Sequence, residues 1–92
     1  MTIAERVTKG AELLDVKRPR WFLEIDLGLL NMANSEKCIL GQLYDYYDDV
    51  ALYELGIIWG GEYGFDICIF PDEYSTLHTL WIKEITKRKA AL

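Results

Sequence analysis

A mostly α fold with a minor β contribution is what these 92 residues predict, and three marked stretches predict it. The chain opens on a capping box that leads into an apolar stripe of helical period. A central stretch enters through Asn34 and Ser35 and closes on Gly56. A third has carboxylates in its first turn and Lys87, Arg88 and Lys89 in its last, the polarity a helix dipole favours. The size fits one compact domain spanning 1–92.

In the first stretch the Thr2 hydroxyl can accept from the Glu5 N–H while the Glu5 carboxylate reaches back to the Thr2 N–H. Ile3, Val7, Ala11 and Leu14 then fall at intervals of four, four and three, so a helix is expected from about 3 to 15. Gly10 inside it costs roughly 1 kcal/mol relative to alanine and marks a possible close helix contact. Pro19 ends the pattern and can open a short helix at about 20 to 25, which offers Trp21, Phe22 and Ile25 to the core. Residues 26–32 have no clean period, and Asp26 is placed to cap a single turn there.

From Ser35 a helix is expected to run to about 55, with Ile39, Leu43, Tyr46 or Tyr47, and Val50 on its apolar stripe and Gly56 as its C-cap glycine. Asp45, Asp48 and Asp49 are weak helix formers of like charge, so a break near Asp48 is the alternative to a continuous helix. The β-rich runs 57–59 and 65–70 flank three glycines in five residues. They read as a small hairpin over 57–69, with Phe65, Ile67 and Ile69 inward, or else as a functional loop. Pro71, Asp72 and Glu73 open the last helix, about 71 to 88, whose stripe is Tyr74, Leu77, Trp81 and Ile85.

Composition excludes several classes. Half of the residues are hydrophobic, too many for a disordered tail, and 27% are charged, too many for a membrane insert. No uncharged stretch approaches the roughly 18 residues of a span, and Met-Thr-Ile-Ala-Glu-Arg lacks the pattern of a signal peptide, so a cytoplasmic protein is expected. A net charge of -5 has the wrong sign for binding a phosphate backbone, so no direct nucleic-acid partner is expected. The charge is also segregated. Residues 1–20 carry five basic and three acidic groups, 21–75 one and eleven, and 76–92 four and one. The acidic middle would steer a basic partner surface.

Candidate chemistry is sparse. Cys38 and Cys68 lie thirty residues apart among aliphatics, without a CxxC spacing, and read as two reduced core thiols rather than metal ligands. Catalysis by either cysteine would require it to pack against His78, the only histidine. The segment from Asp45 to Glu54 lacks the glycine and the alternating ligands of a calcium loop. Gly60-Gly61-Glu62-Tyr63-Gly64 has no lysine and opens no helix, as a phosphate cradle would. No cofactor and no metal are expected.

The strongest feature is the acidic, tyrosine-rich run of Tyr44, Asp45, Tyr47, Asp48, Asp49, Tyr53 and Glu54, in which Tyr46 also lies. Tyrosines offer rigid amphipathic contact area and carboxylates steer a basic partner, so a protein-binding face is expected here, with about half the phenols turned into the core. A DNA-mimic inhibitor of a nucleic-acid-binding or defence factor is the alternative. A small Cys/His hydrolase is the third possibility.

Several runs carry a resemblance: Gly10-Ala11-Glu12-Leu13-Leu14-Asp15, Ile25-Asp26-Leu27, Tyr63-Gly64-Phe65-Asp66 and, most specific, Cys38-Ile39-Leu40-Gly41-Gln42-Leu43-Tyr44. With Trp21, Tyr74, Leu77 and Trp81 they resemble small uncharacterised proteins encoded by actinobacterial phages and prophages. The resemblance covers most of the chain. It implies a non-structural accessory protein that binds a host or phage factor. It assigns no catalytic residue and does not extend to the acidic stretch beginning at Asp45.

Overall fold

A computed structural model describes residues 1–67 and 72–92, folded as four α-helices joined by turns and two short 3₁₀ helices, with no strand among the described residues. The helices are α1 (Ile3–Lys17), α2 (Ile39–Tyr44), α3 (Asp49–Leu55) and α4 (Glu73–Ala90). The 3₁₀ helices are Trp21–Leu23 and Gly60–Tyr63. Helix α1 packs along α4 and against the Gly60–Tyr63 turn.

Both bonds of the capping box form: the Glu5 N–H donates to Thr2 Oγ1 at 3.1 Å and the Thr2 N–H to Glu5 Oε1 at 3.2 Å. The predicted stripe of α1 is its buried face, since Val7, Ala11 and Leu14 are all in the core. Leu77, Trp81 and Ile85 do the same for α4, while Tyr74 is half-buried at its start. The aromatic side chains form a continuous chain through the interior. Phe22 meets Trp21 edge-on at 6.0 Å, and Trp21 meets Trp81 edge-on at 5.7 Å. Phe65 then stacks on Trp81 at 5.4 Å, and Tyr63 on Phe65 at 6.4 Å. Both indole N–H groups in this chain are satisfied, Trp81 donating to the Gly64 carbonyl at 2.7 Å and Trp21 to Asp15 Oδ1 at 2.9 Å, as buried indoles require.

Three expectations need correction. The short helix at 20–25 is a single 3₁₀ turn, Trp21–Leu23, because Arg20 takes a left-handed conformation (φ 66°) after Pro19 and breaks the run. The helix expected over 35–55 is two helices. Asn34 does cap a turn, its side chain accepting from the Glu36 and Lys37 N–H groups and its carbonyl from the Cys38 N–H at 2.9 Å, but that turn does not run on into the helix. That turn packs directly on Gly41, so α2 begins only at Ile39, with Cys38 as its N-cap. The hairpin over 57–69 does not form across its described part. Gly60–Tyr63 is a 3₁₀ helix closed by Gly64 (φ 71°), whose N–H donates to the Gly61 carbonyl at 3.2 Å. Phe65 is nevertheless buried, as expected of an inward residue, and Ile67 is half-buried. Ile69, the inward placement proposed for it, Cys68 and the Pro71 helix start lie outside the described residues.

Candidate functional site

The acidic, tyrosine-rich run is shaped by its own aspartates. Asp45 ends α2 in the left-handed region (φ 71°), a conformation aspartate tolerates better than most side chains. The Tyr47 N–H leaves the helical ladder and donates to the Ser35 carbonyl at 2.8 Å. Asp48 then caps α3, its Oδ1 accepting from the N–H groups of Val50 (3.0 Å) and Ala51 (3.2 Å), and Asp49 places a second carboxylate in the first turn. Gly56 (φ 72°) closes the helix as its C-cap.

Helix α3 buries Ala51, Leu52 and Leu55, so Asp49, Val50, Tyr53 and Glu54 face solvent. Of the seven residues expected on the binding face, Asp45, Asp48, Asp49, Tyr53 and Glu54 are exposed there. Tyr44 and Tyr47 are half-buried and turn into the fold. The Arg18 guanidinium lies 4.9 Å from the Tyr44 ring centroid while pairing with Glu24 at 2.9 Å, which ties that phenol to the end of α1. The Tyr47 hydroxyl occupies the space a Cβ on Gly60 would need.

This stretch of chain exposes Tyr46, which lies in the acidic-aromatic run, and three side chains outside that run, Val50, Ile58 and Trp59. Tyr46 is 49% exposed, Val50 64%, Ile58 96% and Trp59 51%. With Tyr53 at 83%, five of the ten large hydrophobic side chains that stand exposed among the described residues fall between residues 46 and 59. The sequence pattern puts Val50 on a core stripe and Ile58 and Trp59 in a strand, and the structure exposes all three. None of Asp45, Asp48, Asp49 and Glu54 forms an ion pair with a described residue. The ion pairs gather instead around α1 and α4, including Arg6–Glu73, Lys9–Glu62 and Arg88 with both Asp15 and Glu84.

A second feature has no counterpart in the sequence patterns. Tyr47, Asp66, Tyr74 and Cys38 line a cavity of about 60 Å³. The Tyr74 hydroxyl donates to Asp66 Oδ1 at 3.1 Å, and the same oxygen accepts from the Ile67 N–H at 2.8 Å. Burial, and then the Asp66 charge, push the Tyr47 and Tyr74 phenols above their ordinary range, so both stay neutral. Burial likewise raises the Cys38 thiol, only partly offset by the Gly41 N–H that donates to its sulfur at 3.3 Å. A thiol so placed is a poor nucleophile. His78 lines a separate, open cavity of about 350 Å³ beside Leu30 and Ser75, to which Cys38 does not contribute. Cys68 lies outside the described residues. Among those residues no three His, Cys, Asp or Glu side chains are grouped to hold a metal ion, and no helix is long and apolar enough to cross a membrane. No protein-family model, curated protein or solved structure matches the chain.

Proposed function

We propose that this chain is a phage-type accessory protein that binds another protein, without catalysis of its own, through the surface centred on α3. The observation that carries this reading is the concentration of exposed Tyr46, Val50, Tyr53, Ile58 and Trp59 in the same stretch of chain as carboxylates that form no ion pair with a described residue. Exposed apolar groups that cluster, rather than scatter, are typical of docking sites. Aromatic anchors supply contact area at low entropic cost, and the exposed carboxylates favour a partner with basic side chains around an apolar centre.

A compact aromatic centre also favours docking over DNA mimicry. Helix α3 has seven residues and so spans only about 10 Å, short for a run of carboxylates imitating successive phosphates.

The test uses substitutions the fold tolerates. Asparagine accepts the left-handed conformation at 45 and caps a helix as well as aspartate at 48, so Asp45→Asn, Asp48→Asn and Asp49→Asn together remove charge while keeping both structural roles. Capture from an actinobacterial lysate is compared for the wild type, this triple variant and Tyr53→Ala. A specific partner should be lost from both variants, with Tyr53→Ala weakening binding about tenfold or more if it is an anchor. Equal recovery of every captured protein by all three removes the proposal.

A further inference from the structure

We infer that the cavity bounded by Tyr47, Asp66 and Tyr74 is a binding site for a primary ammonium group, distinct from the α3 surface and standing independently of it. Its lining is rich in acceptors, and no lysine, arginine or histidine is among its described lining residues. Asp66 is half-buried and forms no ion pair with a described residue. Oδ1 is already occupied by two donors, the Tyr74 hydroxyl and the Ile67 N–H, whereas Oδ2 accepts no hydrogen bond from a described residue. The Tyr47 hydroxyl likewise bonds to no described residue, and neither atom is sealed from solvent. A carboxylate withdrawn partly from water without a counter-charge is costly, and a cation entering beside it recovers that cost.

Stereochemistry selects the cation. A guanidinium prefers both oxygens of a carboxylate, and one of the Asp66 oxygens is taken. Calcium and magnesium require six or more oxygen ligands, commonly from several carboxylates, and Asp66 is the one carboxylate among the described lining residues. An ammonium is a compact charge with three rotatable donors, which Asp66 Oδ2 and the oxygens of Tyr47 and Tyr74 can accept. The aromatic rings of Tyr47, Phe65 and Tyr74 in the lining add the attraction of a ring face for a cation. The volume of about 60 Å³ suits an ammonium head with a methylene or two and excludes anything of drug size. Such a head could belong to a lysine side chain of another protein or to a free small amine.

The test is a titration of the ¹⁵N-labelled protein, followed by the amide resonances of Tyr47 and Ile67, with methylammonium chloride at constant ionic strength. A two-heavy-atom ligand sets a ceiling near a Kd of ~10 mM. Saturable shifts are expected with methylammonium and not with sodium or tetramethylammonium. Asp66→Asn should weaken binding at least tenfold. Tyr47→Phe, which leaves no protein group unpaired, should weaken it severalfold and keeps the test valid if Asp66→Asn unfolds. Binding of Nα-acetyl-lysine N-methylamide at equal or higher affinity assigns the site to a lysine side chain, and exclusion of that ligand assigns it to a free amine. Equal shifts with tetramethylammonium or sodium, the absence of saturable methylammonium shifts, or unchanged affinity in both folded variants would overturn the inference.

Discussion

Replacing Gly10 with alanine sets two opposed effects against each other, and the packing of α1 decides which wins. Helix propensity alone favours the change by about 1 kcal/mol. A Cβ at that position, however, would land on the Tyr63 carbonyl oxygen, with the carbonyl carbon 3.1 Å away and Trp81 Cη2 at 3.2 Å. Neither neighbour yields easily. Tyr63 sits in a 3₁₀ turn held by the Gly64 and Phe65 N–H groups, and Trp81 is fixed between Trp21 and Phe65. Overpacking against fixed atoms costs about 1–3 kcal/mol, and contact with backbone places this site at the upper end, leaving a net loss of about 2 kcal/mol. In a domain of this size that is a large share of the total and lowers Tm by about 8–16 °C. Urea unfolding followed by circular dichroism should show a lower midpoint at unchanged slope. Glu12→Ala, exposed on the same helix, should stay within about 0.5 kcal/mol of wild type. A Gly10→Ala protein as stable as wild type, or more so, would refute the close packing of α1 on the Tyr63 turn.

Three further outcomes follow from the same structure. Asp48→Ala removes the α3 cap and should cost about 1 kcal/mol in urea unfolding, while Asp48→Asn should cost little; equal loss in both would mean that the side chain does not cap. Trp81→Phe deletes the donor to the buried Gly64 carbonyl and leaves a void, for a loss of about 2–4 kcal/mol by the same measurement. The third concerns acid. Arg88 holds the Asp15 carboxyl, and Arg18 the Glu24 carboxyl, below the usual carboxylate range. The unfolded chain therefore binds more protons than the folded one as pH drops, so this stabilisation is complete above about pH 5 and is lost progressively below about pH 4. Arg88→Met should flatten that acid-side fall of the unfolding midpoint, and an unchanged slope would remove Asp15 from the account.

What the sequence made legible is what local chemistry controls. The Thr2–Glu5 box, the carboxylates and cations at opposite ends of α4, and Gly56 as a C-cap act within a turn of themselves, and each sits where expected. In the centre the alternative of a break near Asp48 holds and the continuous helix does not, because side chains compete there for the backbone. The stripe runs on through Tyr46 and Val50, but Asp45 and Asp48 offer turn and cap conformations that interrupt it. Residues 57–59 have β propensity but pair with no described strand. Gly60 and Gly61 instead admit the Tyr47 hydroxyl and the Trp59 indole into spaces a Cβ would fill. The Asp66 cavity was invisible for a different reason: Cys38, Tyr47, Asp66 and Tyr74 share no spacing, and only tertiary packing brings them together.

The break at Asp45 is the event that produces both surfaces. Ile39, Leu43, Tyr46, Val50 and Tyr53 are spaced four, three, four and three apart, so one unbroken helix would carry all five on a single face. Ile39 and Leu43 are buried, while Tyr46, Val50 and Tyr53 are exposed, because the chain resets its direction between 45 and 48 and sends the second half of the stripe outward. The same reset turns Tyr47 inward against Gly60 and over the Asp66 cavity. Replacing Asp45 and Asp48 together with alanine removes the side chain that tolerates the left-handed turn and the cap that restarts the helix, so it should favour helix through 45–48. The Tyr47 N–H would then exchange the Ser35 carbonyl for the carbonyl of Leu43, four residues back, and the Cα chemical shifts of residues 45–48 should move to helical values. Tyr53→Ala, which disturbs only the exposed side of α3, should leave those shifts as in the wild type. If the double variant keeps wild-type shifts at 45–48, the two aspartates are not what breaks the helix, and the exposure of the tyrosine face needs another cause.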